Sequence, residues 1–160
     1  MAYARAHQRG IYRSTKPGFV LGLGLGGFAD GILFHQIMQW HMMGSAVLPP
    51  VSMEAMRVNM QWDGFFMLGV WVVTLIGVWW LLADARRGVL LPSPGSFAGQ
   101  LLVGWGIFNL IEGIIDHHLL GLHHVRDLPA HIPAYDGIFL GIGGVLFILI
   151  GWPAMKKRVV

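Results

Sequence analysis

Four apolar stretches constrain this chain more than any other feature. They run from about Gly18 to Met43, Gln61 to Ala83, Phe97 to Leu122 and Tyr135 to Trp152. Each is long enough to cross a bilayer, which takes about 20 helical residues. Pro17, Pro49, Pro50, Pro92, Pro94, Pro129, Pro133 and Pro153 fall at the edges of these stretches. Proline removes a backbone donor and clashes with the preceding turn, so its place at the edges supports helical interiors. The expected fold is all-α, an integral membrane four-helix bundle, with 1–160 as a single transmembrane domain. Charged residues are only 12% of the chain, about half the share in soluble domains, which argues against a soluble enzyme. The absence of cysteine excludes disulfides, iron–sulfur clusters, zinc–thiolate sites and thiol catalysis.

Lysine and arginine set the orientation. Arg5, Arg9, Arg13 and Lys16 precede the first stretch, Arg86 and Arg87 join the second to the third, and Lys156, Lys157 and Arg158 follow the fourth. Arg57 and Arg126 alone lie in the other two loops. The positive-inside rule therefore expects both termini in the cytoplasm. The net charge of +3 is a topology signal; lipid headgroups are its expected partner, and nucleic acid is not. The first stretch is too long, and holds Asp30 and His35, so it does not read as a cleaved signal peptide.

The polar residues are distributed unevenly. His35, His41, His117, His123, His124, His131 and His118 all lie in the outer half, and only His7 lies inside. Asp30, Asp63, Glu112, Asp116 and Asp136 lie within the stretches or at their outer ends. Asp30 sits roughly 20 Å along the first helix at 1.5 Å per residue. An ionised group at that depth costs about 2.5–3.5 kcal/mol or more unless it is paired, neutralised or hydrated. A bound cation would compensate acids and imidazoles together. A carboxyl proton shared with a histidine would serve too.

The first and third stretches carry the same pattern. Gly22-Leu23-Gly24, Asp30-Gly31, His35 and His41 match Gly104-Trp105-Gly106, Glu112-Gly113, His117 and His123, at identical spacing. The next stretches open with Asp63-Gly64 and Asp136-Gly137. The expectation is two pseudo-repeated helical hairpins of the same orientation, a known style of membrane duplication. Asp30, His35, His41 and Asp63 would form one half of a metal site, and Glu112, His117, His123 and Asp136 the other. Asp116 shares a helical face with Glu112 and His123 and joins the set. At 100° per residue, however, His35 and His117 fall about 140° away from Asp30 and Glu112. Distorted glycine-rich helices, or use of an adjacent face, would reconcile this. Carboxylates and histidines from facing helices are the style of di-metal bundles.

Imidazole suits copper, zinc and iron. Met38, Met42, Met43, Met53, Met56 and Met60 gather near the outer end of the first hairpin. Thioether selects Cu(I), which favours copper over zinc or iron, although methionine more often simply fills apolar gaps. The competing readings are a proton-relay network and a purely structural role. His118, His124 and His131 fit outer positions that support the ligands or simply border the membrane. Haem held between histidines of the two halves is a further option. Gly22-Leu23-Gly24-Leu25-Gly26-Gly27 lacks the strand and lysine of a nucleotide loop and reads as close helix packing.

Gly26-Gly27-Phe28-Ala29-Asp30-Gly31-Ile32-Leu33-Phe34-His35-Gln36 through Trp40-His41, with Phe108-Asn109-Leu110-Ile111-Glu112-Gly113-Ile114-Ile115-Asp116-His117-His118 through His123-His124-Val125-Arg126, resembles the bacterial domain-of-unknown-function family 2243. The resemblance covers nearly the whole chain. It implies a small four-span protein of the bacterial inner membrane, in the company of copper-assembly proteins of cytochrome oxidase. Where the first motif of the family continues with two histidines, this chain has His41-Met42. The expected function is a membrane metalloprotein with a His/carboxylate site near the extracytoplasmic side, copper favoured, in copper handling or redox chemistry for a respiratory or oxidase system. The alternatives are a di-metal membrane oxidase or hydroxylase using iron, copper or zinc, and a non-catalytic subunit of a larger membrane complex. Homo-oligomerisation is compatible with so small a chain.

Overall fold

The computed structural model describes residues 14–156. Arg5, Arg9, Arg13, Lys157 and Arg158, on which the orientation partly rests, lie outside the described residues, as does His7. Four helical spans are long and apolar enough to cross a membrane: α1 (Lys16–Ile37), α2 (Met53–Arg86), α3 (Pro94–Leu119) and α4 (Pro133–Lys156).

The span ends have local causes. Pro17, Pro94 and Pro133 occupy first-turn positions, where a missing amide costs nothing. The Ser52 hydroxyl accepts from the Ala55 amide at 3.1 Å and caps α2. The boundaries differ from those expected. α1 and α3 stop at Ile37 and Leu119, several residues short, so His41 and His123 stand in loops. α2 begins eight residues earlier, at Met53. Its 34 residues measure about 51 Å, well beyond a hydrocarbon core of about 30 Å, so part of it extends past the lipid tails. Pro153 lies within the last helical turns of α4 rather than beyond them.

α1 and α3 form the inner pair, with α2 packed on α1 and α4 packed on α3. Glycine lets the inner pair meet. A Cβ on Gly22 would lie 2.9 Å from the Gly104 Cα, and one on Gly104 would lie 2.9 Å from the Gly22 Cα. Backbones this close are a device of membrane helices, where dispersion and fit replace the hydrophobic drive. α3 and α4 use the same device, since a Cβ on Gly151 would sit 2.7 Å from the Gly99 carbonyl oxygen.

Among the described residues, the buried apolar side chains are few: Ala55, Val70, Val103, Val125 and Phe139. The largest fully enclosed side chains are instead His41, His117, His123, Gln100, Asn59, Asp30 and Pro17. Large apolar groups such as Phe65, Trp71, Trp79 and Leu149 point outward. Polar groups inside and apolar groups outside suit a chain whose solvent is lipid.

Candidate metal centre

Helical periodicity changes where the acids sit. The α-helical hydrogen bonding of α1 ends at Asp30, and Gly31–Ile37 forms a π-helical turn. α3 does the same at Glu112, followed by a π turn over Gly113–Leu119. A π turn closes after five residues, so a residue and its i+5 neighbour share a face. Asp30 and His35 are such a pair, and their Oδ2 and Nε2 atoms lie 3.0 Å apart. Glu112 and His117 have the same spacing. The misalignment expected from α-helical geometry is thus removed by a local change of helix type.

Both π turns end alike. The Met38 amide donates to the Leu33 carbonyl and the Trp40 amide to Phe34; the Leu120 amide donates to Ile115 and the Leu122 amide to Asp116. Gln39 (φ 51°) and Gly121 (φ 60°) then take left-handed conformations at matching places in the two motifs. Each chain turn swings the following histidine back over its own carboxylate. His41 Nε2 lies 3.8 Å from Asp30 Oδ1, and His123 Nε2 lies 3.7 Å from Glu112 Oε1.

The two loops hold one another's histidines. His41 Nδ1 donates to the Val125 carbonyl at 2.9 Å, and His123 Nδ1 to the Met43 carbonyl at 3.1 Å. A carbonyl only accepts, so each Nδ1 carries the proton and each Nε2 keeps a lone pair. His35 Nδ1 donates to Asp63 Oδ1 at 2.9 Å, and the Met43 amide donates to the same oxygen at 2.8 Å. In the other half, His117 Nδ1 lies 3.3 Å from Asp136 Oδ1, which accepts from the Val125 amide at 2.9 Å. The loops are also tied directly: Ser45 Oγ donates to Asp127 Oδ2 at 2.7 Å, and the Asp127 and Leu128 amides both donate to the Trp40 carbonyl.

The result is a sealed cluster. The His41 and His123 rings stack at 4.5 Å between centroids, flanked by His35 at 4.4 Å from His41 and His117 at 4.8 Å from His123. His41 and His123 are 0% exposed. Both oxygens of Glu112 and the Nε2 atoms of His41, His117 and His123 have no hydrogen-bond partner, while Asp30 Oδ2 has His35 Nε2 3.0 Å away. Three sets of ligand atoms each lie within 4.8 Å of one another: His35, His41 and His123; Glu112, His117 and His123; and Asp30, His41 and Glu112. Burial pushes the His123 imidazole, which stands in the loop after α3, well below its ordinary value. It is therefore neutral at physiological pH, the form that ligates a metal.

Orphaned buried acceptors are expensive. Two buried carboxylates facing the Nε2 lone pairs of His41 and His123, with His35 and His117 beside them, are what a cation needs, so the donor set fits a bound transition metal. The stacked His41 and His123 rings do not present their nitrogens to opposite faces of one haem iron.

Asp30, His35, His41, Glu112, His117 and His123 thus converge. Asp63 and Asp136 lie behind His35 and His117. Asp116 is half-buried and belongs to none of the ligand-like groups among the described residues. Met53, Met56 and Met60 stand apart on the first turns of α2, where Met53 is 81% exposed and Met60 60%, whereas the Met43 backbone lies at the centre. The Met43 and Val125 carbonyls were not legible in the sequence, because any residue supplies a carbonyl; only the loop path selects them. An apolar cavity of about 210 Å³ reaches Asp30 between Gly26, Leu33, Phe34, Asn109 and Phe139.

No curated protein and no solved structure matches the chain. The sequence profile of the DUF2243 family, described as "predicted membrane protein", matches residues 17–158, and this multi-pass membrane chain belongs to that family.

Proposed function

We propose that this protein is a membrane metalloprotein whose centre is built by Asp30, His35, His41, Glu112, His117 and His123, near the extracytoplasmic ends of the spans. The observation that carries the reading is the convergence of unpartnered His41 and His123 Nε2 atoms on the buried carboxylates of Asp30 and Glu112. The converging donors are imidazole nitrogen and carboxylate oxygen. This set supports Cu(II), iron or zinc. Copper remains the first candidate through the imidazole richness of the site and the family's resemblance-implied company, not through the methionines. The chain would handle that ion, or carry out redox chemistry with it, for a respiratory or oxidase system. His35, His117 and the loop carbonyls hold the donor set in one orientation, and burial excludes water.

A second reading, a membrane oxidase or hydroxylase with two ions, is favoured by one observation. The apolar cavity that ends at Asp30 is lined from α1, α3 and α4, which suits a substrate dissolved in lipid. The halves also supply matching ligands, two imidazoles and one carboxylate each. Metal analysis of the purified full chain separates the readings. One tightly held ion per chain, lost in Glu112→Ala and His123→Ala, supports the first; two tightly held ions, both lost in those variants, support the second. Substoichiometric metal unaffected by either substitution rejects both.

A further inference from the structure

One cluster lies outside the buried centre and has no counterpart in the other half. His124, His131 and Asp136 bring three ligand atoms within 4.8 Å of one another. His124 Nδ1 lies 3.1 Å and His131 Nε2 3.2 Å from the same oxygen, Asp136 Oδ2. The two rings stack at 4.0 Å with 11° between planes, which aims both nitrogens at that oxygen. His131 Nε2 is hydrogen-bonded to that oxygen, whereas the buried His124 Nδ1 approaches it without hydrogen-bond geometry, and Asp136 is 3% exposed. In the first motif the positions matching His124 and His131 are Met42 and Val58, so this arrangement belongs to the second hairpin alone.

The spacing fits a metal. Ligands 2.0–2.2 Å from a tetrahedral ion stand about 3.4 Å from one another. The observed 3.1 and 3.2 Å separations require only slight opening of the cluster. Two imidazoles and a carboxylate are the donor set of open zinc-type sites, which keep a fourth position for water. That fourth position is available here, because the His124 and His131 side chains are 24% and 41% exposed. An ion held so would exchange readily, unlike one enclosed by His41 and His123.

Asp136 faces both ways. Its Oδ2 serves the outer pair, while its Oδ1 lies 3.3 Å from His117 Nδ1. We propose that His124, His131 and Asp136 form a second, solvent-open site for a divalent transition cation, which loads the buried centre by ligand exchange at Asp136 and His117. The loading step rests on the buried-centre reading; the outer site does not.

Cobalt(II) titration of the purified full chain in detergent tests this, with visible absorption reporting nitrogen and oxygen ligation. Wild-type protein should take up one ion within mixing time, removable by a mild chelator, and a second slowly. His124→Ala/His131→Ala should lose the rapid ion and slow uptake of the second at least tenfold, leaving its final occupancy unchanged. His131→Ala alone, at an exposed loop position, should weaken the rapid site at least tenfold and guards against misfolding of the double variant. A rapid ion of undiminished affinity in these variants overturns the outer site. An unchanged slow phase overturns the loading step. Asp30→Asn/Glu112→Gln should remove the slow ion alone. If wild-type protein shows the rapid ion and no slow one, the buried centre and loading both fall while the outer site stands.

Discussion

Asp63 accepts from both His35 Nδ1 and the Met43 amide, so its place in the proposed centre is to hold an imidazole. Carboxylates behind a ligating histidine fix its tautomer and raise its basicity, and their loss commonly weakens metal affinity about 10–100-fold. Asp63→Asn is expected to lie in that range, whereas Asp127→Asn, which loosens only a loop tie, should lie well below it; chelator competition measures both. The pH response has a definite sign. Burial holds His123 well below 6.5, so the unfolded chain binds its proton before the folded one does. That contribution to stability is present above pH 6.5 and is lost as pH falls towards the folded value. Metal-free protein should therefore show a falling thermal midpoint between pH 6.5 and 5, with a smaller fall in His123→Gln. These residue types were legible in the sequence because ionisable groups rarely enter an apolar span without a task. Their partners were not, since a backbone carbonyl leaves no mark on composition.

At the scale of elements, the two π turns decide whether the centre exists. Asp30 and His35 are five positions apart, a spacing that an α-helix separates and a π turn closes. That spacing, with a glycine directly after each carboxylate, was the available sign of a non-α turn; the 100° step hid it. Inserting an alanine after Ile32, which faces outward, widens the spacing to six, which neither an α-helix nor a π turn closes, and should swing His35 away from Asp30. Circular dichroism should show retained helix while metal analysis shows at least tenfold weaker retention. The glycine contacts give a second expectation. Gly22→Ala drives a methyl against the α3 backbone and should cost about 1–3 kcal/mol, the usual range for overpacking. Gly64→Ala meets open space and should be neutral or stabilise by up to about 1 kcal/mol, the helix-propensity gain over glycine. Unfolding in mixed micelles compares the two.

For the whole molecule, apolar runs and proline placement made four spans legible, and hydropathy is informative because lipid leaves so few ways to satisfy a backbone. The loops were not legible: His41 and His123 read as helical, yet they reach the centre because the chain leaves the helix before them. Their side chains are oriented from the opposite hairpin, His41 by Val125 and His123 by Met43. Cutting the chain after Gly88, in the short link between α2 and α3, tests that dependence. Neither half alone should retain metal, and co-expression of both should restore it, as read by mass spectrometry of the purified membrane fraction.

The crossed carbonyl contacts have a mechanical corollary. Each hairpin is the jig on which the other's imidazole is set, so a shift of either one misdirects a nitrogen that it does not itself carry.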